Sequence, residues 1–324
     1  MNRNQKIFIT VVVFLMIAGL AFLLRWNEQS LPRAGFGNGK LRVMVSIDPQ
    51  RCFVERIGGD RVVVEVLVPA GKEPETYTPT SENIRSLTRC RVFFRVGFPA
   101  EESFLPRLKT FAPKLQRVDT RQAVPLEMLK PQKRHEHARV SFSDESHEAD
   151  VRGEDTHDHD YDGLDPHIWV SPALVKLQAK MIRDVLISLD PSGETAYREN
   201  YETFIAEISS LQLEIHEMLD PLRGKTVYAY HPTYGYFCEE FGLTQKAIEI
   251  EGKPPTPKNL ADWIHDAKDE QVRVILVQPE FNRSAAEKIA ESTGATLVPH
   301  STLDADYFRS LRELAKIIRR GYQL

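Results

Sequence analysis

The stretch GETAYRENYETFIAEISSLQLEIHEML, residues 193–219, carries Tyr197, Tyr201, Phe204, Ile205, Ile208, Leu211, Leu213 and Ile215 at roughly helical spacing. No proline or glycine interrupts it after Gly193. The spacing therefore predicts one long helix whose apolar stripe must be buried against something else. Upstream, β-branched runs alternate with helical patterns: LRVMVSI at 41–47, RVVVEVLV at 61–68 and RVFFRVG at 91–97 read as strands, with a shorter one near Leu115–Val118. Ser81–Leu87 and Ala100–Phe111 have helical spacing. Downstream, KTVYAYHP from Lys225, then QKAIEI, VRVILVQP and ATLVPH, repeat the design and end in a helical pattern from Asp306 to Arg320. The expected fold class is α/β, two lobes with mainly parallel sheets bridged by one long helix. In such a layout the ligand site belongs in the cleft between the lobes, at the carboxyl ends of the strands.

This reading divides the chain into a membrane anchor or signal segment (1–25), a linker (26–40), a first α/β lobe (41–192), a linking helix (193–220) and a second α/β lobe (221–324). In the first segment Arg3 and Lys6 precede Ile7–Leu24, an apolar run broken only by Thr10. A helix over that run covers roughly 27 Å, close to the hydrocarbon thickness of a bilayer. No A-x-A cleavage site follows, and no cysteine near its end can accept a lipid. An uncleaved anchor is the expectation, with the basic flank in the cytoplasm and the lobes outside, in the periplasm or at the cell surface.

The 42 Lys and Arg residues are scattered among 46 Asp and Glu for a net charge of −4, which leaves no electrostatic footprint for nucleic acid. With 42% hydrophobic and 27% charged residues, the chain can bury a sizeable core; wholesale disorder and a polytopic membrane protein are excluded. Cys52, Cys90 and Cys238 form no CxxC. Neither a disulfide scaffold nor a thiolate zinc finger follows, and at most one disulfide, with Cys52–Cys90 an open pairing.

Pro131–Pro166 breaks the order. It has no apolar period and holds His135, His137, His147, His157 and His159 among many acidic residues. Such a composition cannot bury a core but offers many nitrogen and oxygen donors, so a mobile metal-collecting loop outweighs the alternative of a solvated acidic insertion.

Directly after it comes GLDPHIWVSP, residues 163–172. Rigid Pro166 and bulky Trp169 hold the His167 imidazole in one direction, and Ser171 before Pro172 starts a helix. In YAYHPTYGYFCEEFGL, residues 228–243, His231 stands where a strand ends and a helix begins. His167 is open to the plainer reading of a buried structural histidine. Together, two imidazoles from two lobes suit Zn²⁺, Cu²⁺ or Ni²⁺, whereas Mg²⁺ and Ca²⁺ demand oxygen. Glu280 either orients a ligand or caps the helix that follows. Tyr228, Tyr230, Tyr234 and Tyr236 read as core and cleft wall, and His216 and His265 as helix-surface residues without a role.

The segments IGGDRVVVEVLVPAGKEPETYTPT, DPHIWVSP, HPTYGYF, EGKPPTPKNL and VILVQPEFNRSAAEKIAESTGA occur in that order. Over residues 41–320 the chain resembles the zinc-type solute-binding proteins of metal-importing ABC transporters. The resemblance implies a metal held between two lobes on a rigid linking helix. It also implies Zn²⁺ as cargo, a membrane permease of the ABC type as partner, a monomer, and no enzymatic reaction. Acidic His-rich loops before the DPH motif are common in zinc members. His167 and His231 match the family's second and third ligands, and histidine at the third favours zinc over manganese. Two positions depart from the pattern. Glu75 stands where the family has its first histidine, and its carboxylate can still coordinate zinc. The family's aspartate register falls on Ser301, so neighbouring His300 is the expected substitute, with Asp304 second. The expected metal ligands are thus Glu75, His167, His231 and His300. Two alternatives stand beside this. One is a metal-dependent hydrolase using an open metal position, which the absence of HExxH or a spaced general base disfavours. The other is a metal-sensing homologue without transport.

Overall fold

A computed structural model describes residues 36–37, 39–131, 163–249, 256–281 and 284–323. The expected anchor at 7–24 and the His-rich residues 132–162 lie outside the described residues. Among those described, no helix is long and apolar enough to cross a membrane.

The first lobe is a sheet of β2 (Lys40–Val45), β3 (Val62–Val66), β4 (Val92–Arg95) and β5 (Gln116–Asp119), with β1 (Phe36–Gly37) antiparallel to β2. Val43, Met44 and Val45 pair in parallel with Val64, Glu65 and Val66 on one side and with Val92, Phe93 and Phe94 on the other; β5 extends the sheet beyond β4. A strand covered on both faces needs apolar side chains in both directions, and the VFF run of β4 supplies them. Helices α1 (Asp48–Gly58), α2 (Ser81–Arg89), α3 (Pro99–Glu102) and α4 (Leu105–Phe111) accompany this sheet. The single helix expected over 100–111 is two pieces, because Pro106 in the first turn of α4 has no N–H to continue a helix from α3. Sequence reading passes over α1, whose buried Phe53, Val54 and Ile57 are crowded by polar neighbours.

An 18-residue helix, α5 (Pro172–Leu189), leads into the 26-residue α6 (Glu194–Leu219), the linking helix that the apolar spacing predicts. Its buried face is Tyr197, Phe204, Ile208, Leu211, Ile215 and Leu219, each worth about 1.5–3 kcal/mol on burial. Asp190, in the turn between α5 and α6, accepts from Arg61 Nε at 2.8 Å and from Tyr197 Oη at 2.9 Å. A Cβ on Gly193 would lie 2.3 Å from Arg61 Nε, so only glycine lets Arg61 reach that turn.

The second lobe repeats the plan with β6 (Thr226–Ala229), β7 (Thr244–Ala247), β8 (Val274–Val277) and β9 (Thr296–Pro299), all parallel in the order β7-β6-β8-β9. Helices α7 (Gly235–Glu240), α8 (Pro257–Asp269), α9 (Ser284–Thr293) and α10 (Tyr307–Gln323) complete it. One core runs through both lobes by way of α6, while separate clusters around Phe93 and Trp263 fill the far face of each sheet. The lobes are therefore welded along α1, α6 and α10. Phe53, Phe204 and Tyr307 meet there, with Phe53 edge-on to Tyr307 at 4.9 Å. All three cysteines are free, so the Cys52–Cys90 pairing is not made.

Candidate metal centre

His167 opens a 3₁₀ turn over Ile168–Val170. As the sequence predicts, Ser171 then caps α5 by accepting from Leu174 N at 3.2 Å, with Pro172 at the first helical position. The Trp169 ring lies 5.1 Å from the His167 ring. Asp165 accepts from the His167 backbone N at 3.0 Å and pairs with its Nδ1 at 2.7 Å. That pairing places the proton on Nδ1 and turns the Nε2 lone pair outward.

His231 stands two residues beyond β6. Its backbone is gripped by buried Gln278 at the end of β8, whose Oε1 accepts from His231 N at 3.3 Å and whose Nε2 donates to His231 O at 3.1 Å. Its Nδ1 pairs with Glu249 Oε2 at 2.9 Å, and Phe281 stacks on the ring at 4.3 Å. Glu75 arrives on the loop after β3.

Three donor atoms converge: the two Nε2 atoms are 3.4 Å apart, and Glu75 Oε1 is 3.7 Å from that of His167 and 3.6 Å from that of His231. Around a tetrahedral Zn²⁺ with bonds of about 2.0–2.1 Å, neighbouring donors stand roughly 3.3–3.4 Å apart. The triangle matches one face of such a tetrahedron to within a few tenths of an ångström. Both histidines are buried, and Glu75 Oε1 is a buried acceptor that no donor reaches. An orphaned buried carboxylate oxygen is costly unless a cation comes to it.

The electrostatics agree. Burial pushes the His231 imidazole down, but the Glu249 hydrogen bond and the nearby Glu75 carboxylate outweigh it and raise the pKa to about 9. For Glu75, burial pushes upward, yet contact with His231 and the charge of His167 win and hold the carboxyl below its ordinary range. Both shifts have the same cause, the carboxylates of Glu75 and Glu249 set close to buried imidazole, an arrangement that favours positive charge at this point.

Of the four residues expected as ligands, the structure brings together Glu75, His167 and His231 and leaves out His300. His300 is buried, with Nε2 donating to Ser310 O at 2.9 Å and Nδ1 3.2 Å from the Tyr234 hydroxyl. Both ring nitrogens are thus engaged within the lobe, and burial holds its pKa below the ordinary value. Asp304 is tied to Arg309 at 2.6 Å. Ser301 donates to Glu280, which therefore holds a strand end and orients neither ligand imidazole. The four tyrosines are buried, as expected of core and cleft wall. Sequence reasoning missed Asp165, Glu249 and Gln278. Asp165 had a signal, two residues before a histidine in a rigid turn; Glu249 and Gln278 had none, because only strand pairing brings them to His231.

The family described as zinc-uptake complex component A, periplasmic, matches residues 43–321. The chain is 24% identical over 307 residues to the high-affinity zinc uptake system protein ZnuA of Bacillus subtilis (strain 168), covering 94% of this chain and 89% of that protein. Among solved structures it is similar to a crystal structure of ZnuA at 31% identity, over 87% of this chain and 99% of that one, with a TM-score of 0.75. It is also similar to a zinc-bound ZnuA lacking its residues 138–173, at 30% identity over 88% of this chain and 99% of that one, with a TM-score of 0.74.

Proposed function

The chain belongs to the family of zinc-uptake complex component A, and from that premise we propose that it is an extracytoplasmic receptor that captures Zn²⁺ between its lobes. It hands the ion to a membrane permease of the ABC type. The observation that carries this is the triangle of Glu75 Oε1, His167 Nε2 and His231 Nε2, with the carboxylate oxygen buried and otherwise unpartnered. Two imidazoles and one carboxylate form a donor set that zinc accepts readily, and the pairings to Asp165 and Glu249 behind the rings raise the basicity of both nitrogens. Capture exchanges a proton for the ion, since both Nε2 atoms must be unprotonated to bind.

The receptor works as a monomer and performs no reaction; its output is a loaded cleft presented to the permease. Residues 7–24 hold it at the membrane. The His-rich stretch gathers ions for the cleft, and the residues on either side of it, Pro131 and Leu164, pair three residues before His167. Calorimetric titration of metal-free protein with Zn²⁺ tests the reading. One tight site, lost in His167→Ala and His231→Ala, is the expected result. Equal zinc binding by both variants and the parent would overturn it.

A further inference from the structure

By chain order His167 belongs to the first lobe, yet the turn that carries it is stitched to the second. Tyr236, buried in α7, makes the decisive stitch. Its hydroxyl donates to the backbone carbonyl of Asp165 at 3.0 Å and accepts the backbone N–H of Lys130 at 2.9 Å. Lys130 and Asp165 are themselves paired, Asp165 N to Lys130 O at 2.8 Å, so a single hydroxyl grips both sides of the neck from which residues 132–162 emerge. On the far side of His167, Trp169 Nε1 donates to Thr302 O at 2.9 Å, a second stitch to the same lobe.

The gripped residue is the one that aims the imidazole. Asp165 Oδ1 pairs with both His167 N and Nδ1, so a shift of the Asp165 backbone swings the ring and carries Nε2 away from the 3.4 Å approach to His231.

We propose that Tyr236 is a positioning residue for ion capture: from the second lobe it holds the Lys130–Asp165 neck, and through Asp165 it fixes His167 against His231. The two nitrogen donors are then one rigid unit on the second lobe despite their separation in the chain. This rests on the reading of the triangle as the zinc site.

The test is Tyr236→Phe in the full-length protein, which keeps the ring and its packing and removes only the hydroxyl. Zn²⁺ affinity should fall by about 10–100-fold, the range seen when groups behind metal ligands are lost. The absorption spectrum of bound Co²⁺ should change with it, because the ring is re-aimed. Asp165→Asn should cost a similar factor, and the double variant no more than the worse single one, as residues acting in series require. If Tyr236→Phe does not fold, Lys130→Pro removes the N–H that the hydroxyl accepts while leaving its bond to Asp165, and a smaller affinity loss with the same change in the Co²⁺ spectrum is expected. Tyr236→Phe binding Zn²⁺ as tightly as a binding parent, or losses that multiply in the double variant, would overturn the role of Tyr236 alone. A parent that binds no Zn²⁺ overturns the capture reading and this proposal with it.

Discussion

The two imidazoles and the carboxylate of the candidate metal centre are delivered in different ways. His167 and His231 sit on turns whose backbones are held by Asp165 and Gln278 and whose rings are held by Asp165 and Glu249. Among the described residues, the hydrogen bonds of the Glu75 loop stay on the first-lobe side: Leu67 and Val68 to β2 and its end, Lys72 and Tyr77 within the loop, Tyr77 Oη to Asn83 in α2. Residues 69–72 are exposed. The nitrogen pair is therefore built before an ion arrives, while the carboxylate comes on a segment with little to hold it but the charge it meets. Donors already fixed cost little to use, and a donor on a loosely held loop must be ordered on binding. On the proposed reading, the histidines set whether an ion is taken and Glu75 sets how long it stays.

Breaking the rigid side should have the largest effect. His167→Ala or His231→Ala should weaken Zn²⁺ binding by about 10²–10³-fold, one ligand's share of the roughly 10–16 kcal/mol typical of four-ligand zinc sites. Calorimetry reads it, and a loss under about tenfold would contradict the contrast. Glu75→Gln should cost less, about 10–100-fold, and chiefly as faster release in stopped-flow with a chelator. If it costs as much as a lost histidine, the carboxylate is no lesser partner.

Acidity sharpens the same comparison. The His231 pKa stands at about 9 in the ion-free protein, so below that value its proton competes with the ion. Zinc affinity should rise by up to about tenfold per unit as pH climbs from 7 to 9. For the ion-free fold the sign is opposite. The raised pKa contributes stability that is fully present below the unfolded value of about 6.5 and lost as pH rises through about 9. The melting temperature of metal-free protein should thus fall over the window in which zinc affinity rises, and His231→Gln should flatten both trends. The smallest effect is expected from deleting residues 135–159, which lie outside the described residues. Glu75, His167 and His231 remain, so the tight site should change by no more than about twofold while weaker sites disappear. Loss of the tight phase would make that stretch a direct ligand source.

How much was legible follows from the range of each interaction. The 193–219 stripe and the β-branched runs announce two lobes and a linking helix because burial of a periodic face is a local property of the chain. The split of the 100–111 helix was equally local, waiting in Pro106. His167 and His231 stood out because each sits in a rigid turn at the edge of an element. His300 entered only through the family resemblance, as the neighbour of Ser301 in the aspartate register, and the structure leaves it out of the triangle. Only the packed lobe shows that Ser310 and Tyr234 claim both of its ring nitrogens.

What the chain by itself determined is therefore the architecture, the acidic His-rich insertion and the candidate donors His167 and His231, with Glu75 added by the family resemblance. What only the tertiary structure decided is their geometry: the triangle, the carboxylates behind each imidazole, and the hydroxyl of Tyr236 gripping a neck 106 residues away from it in sequence at Lys130. The physical reason is that a donor atom's position is set by contacts among residues far apart in the chain, to within a few tenths of an ångström. Sequence periodicity records which face is buried and carries no information at that scale.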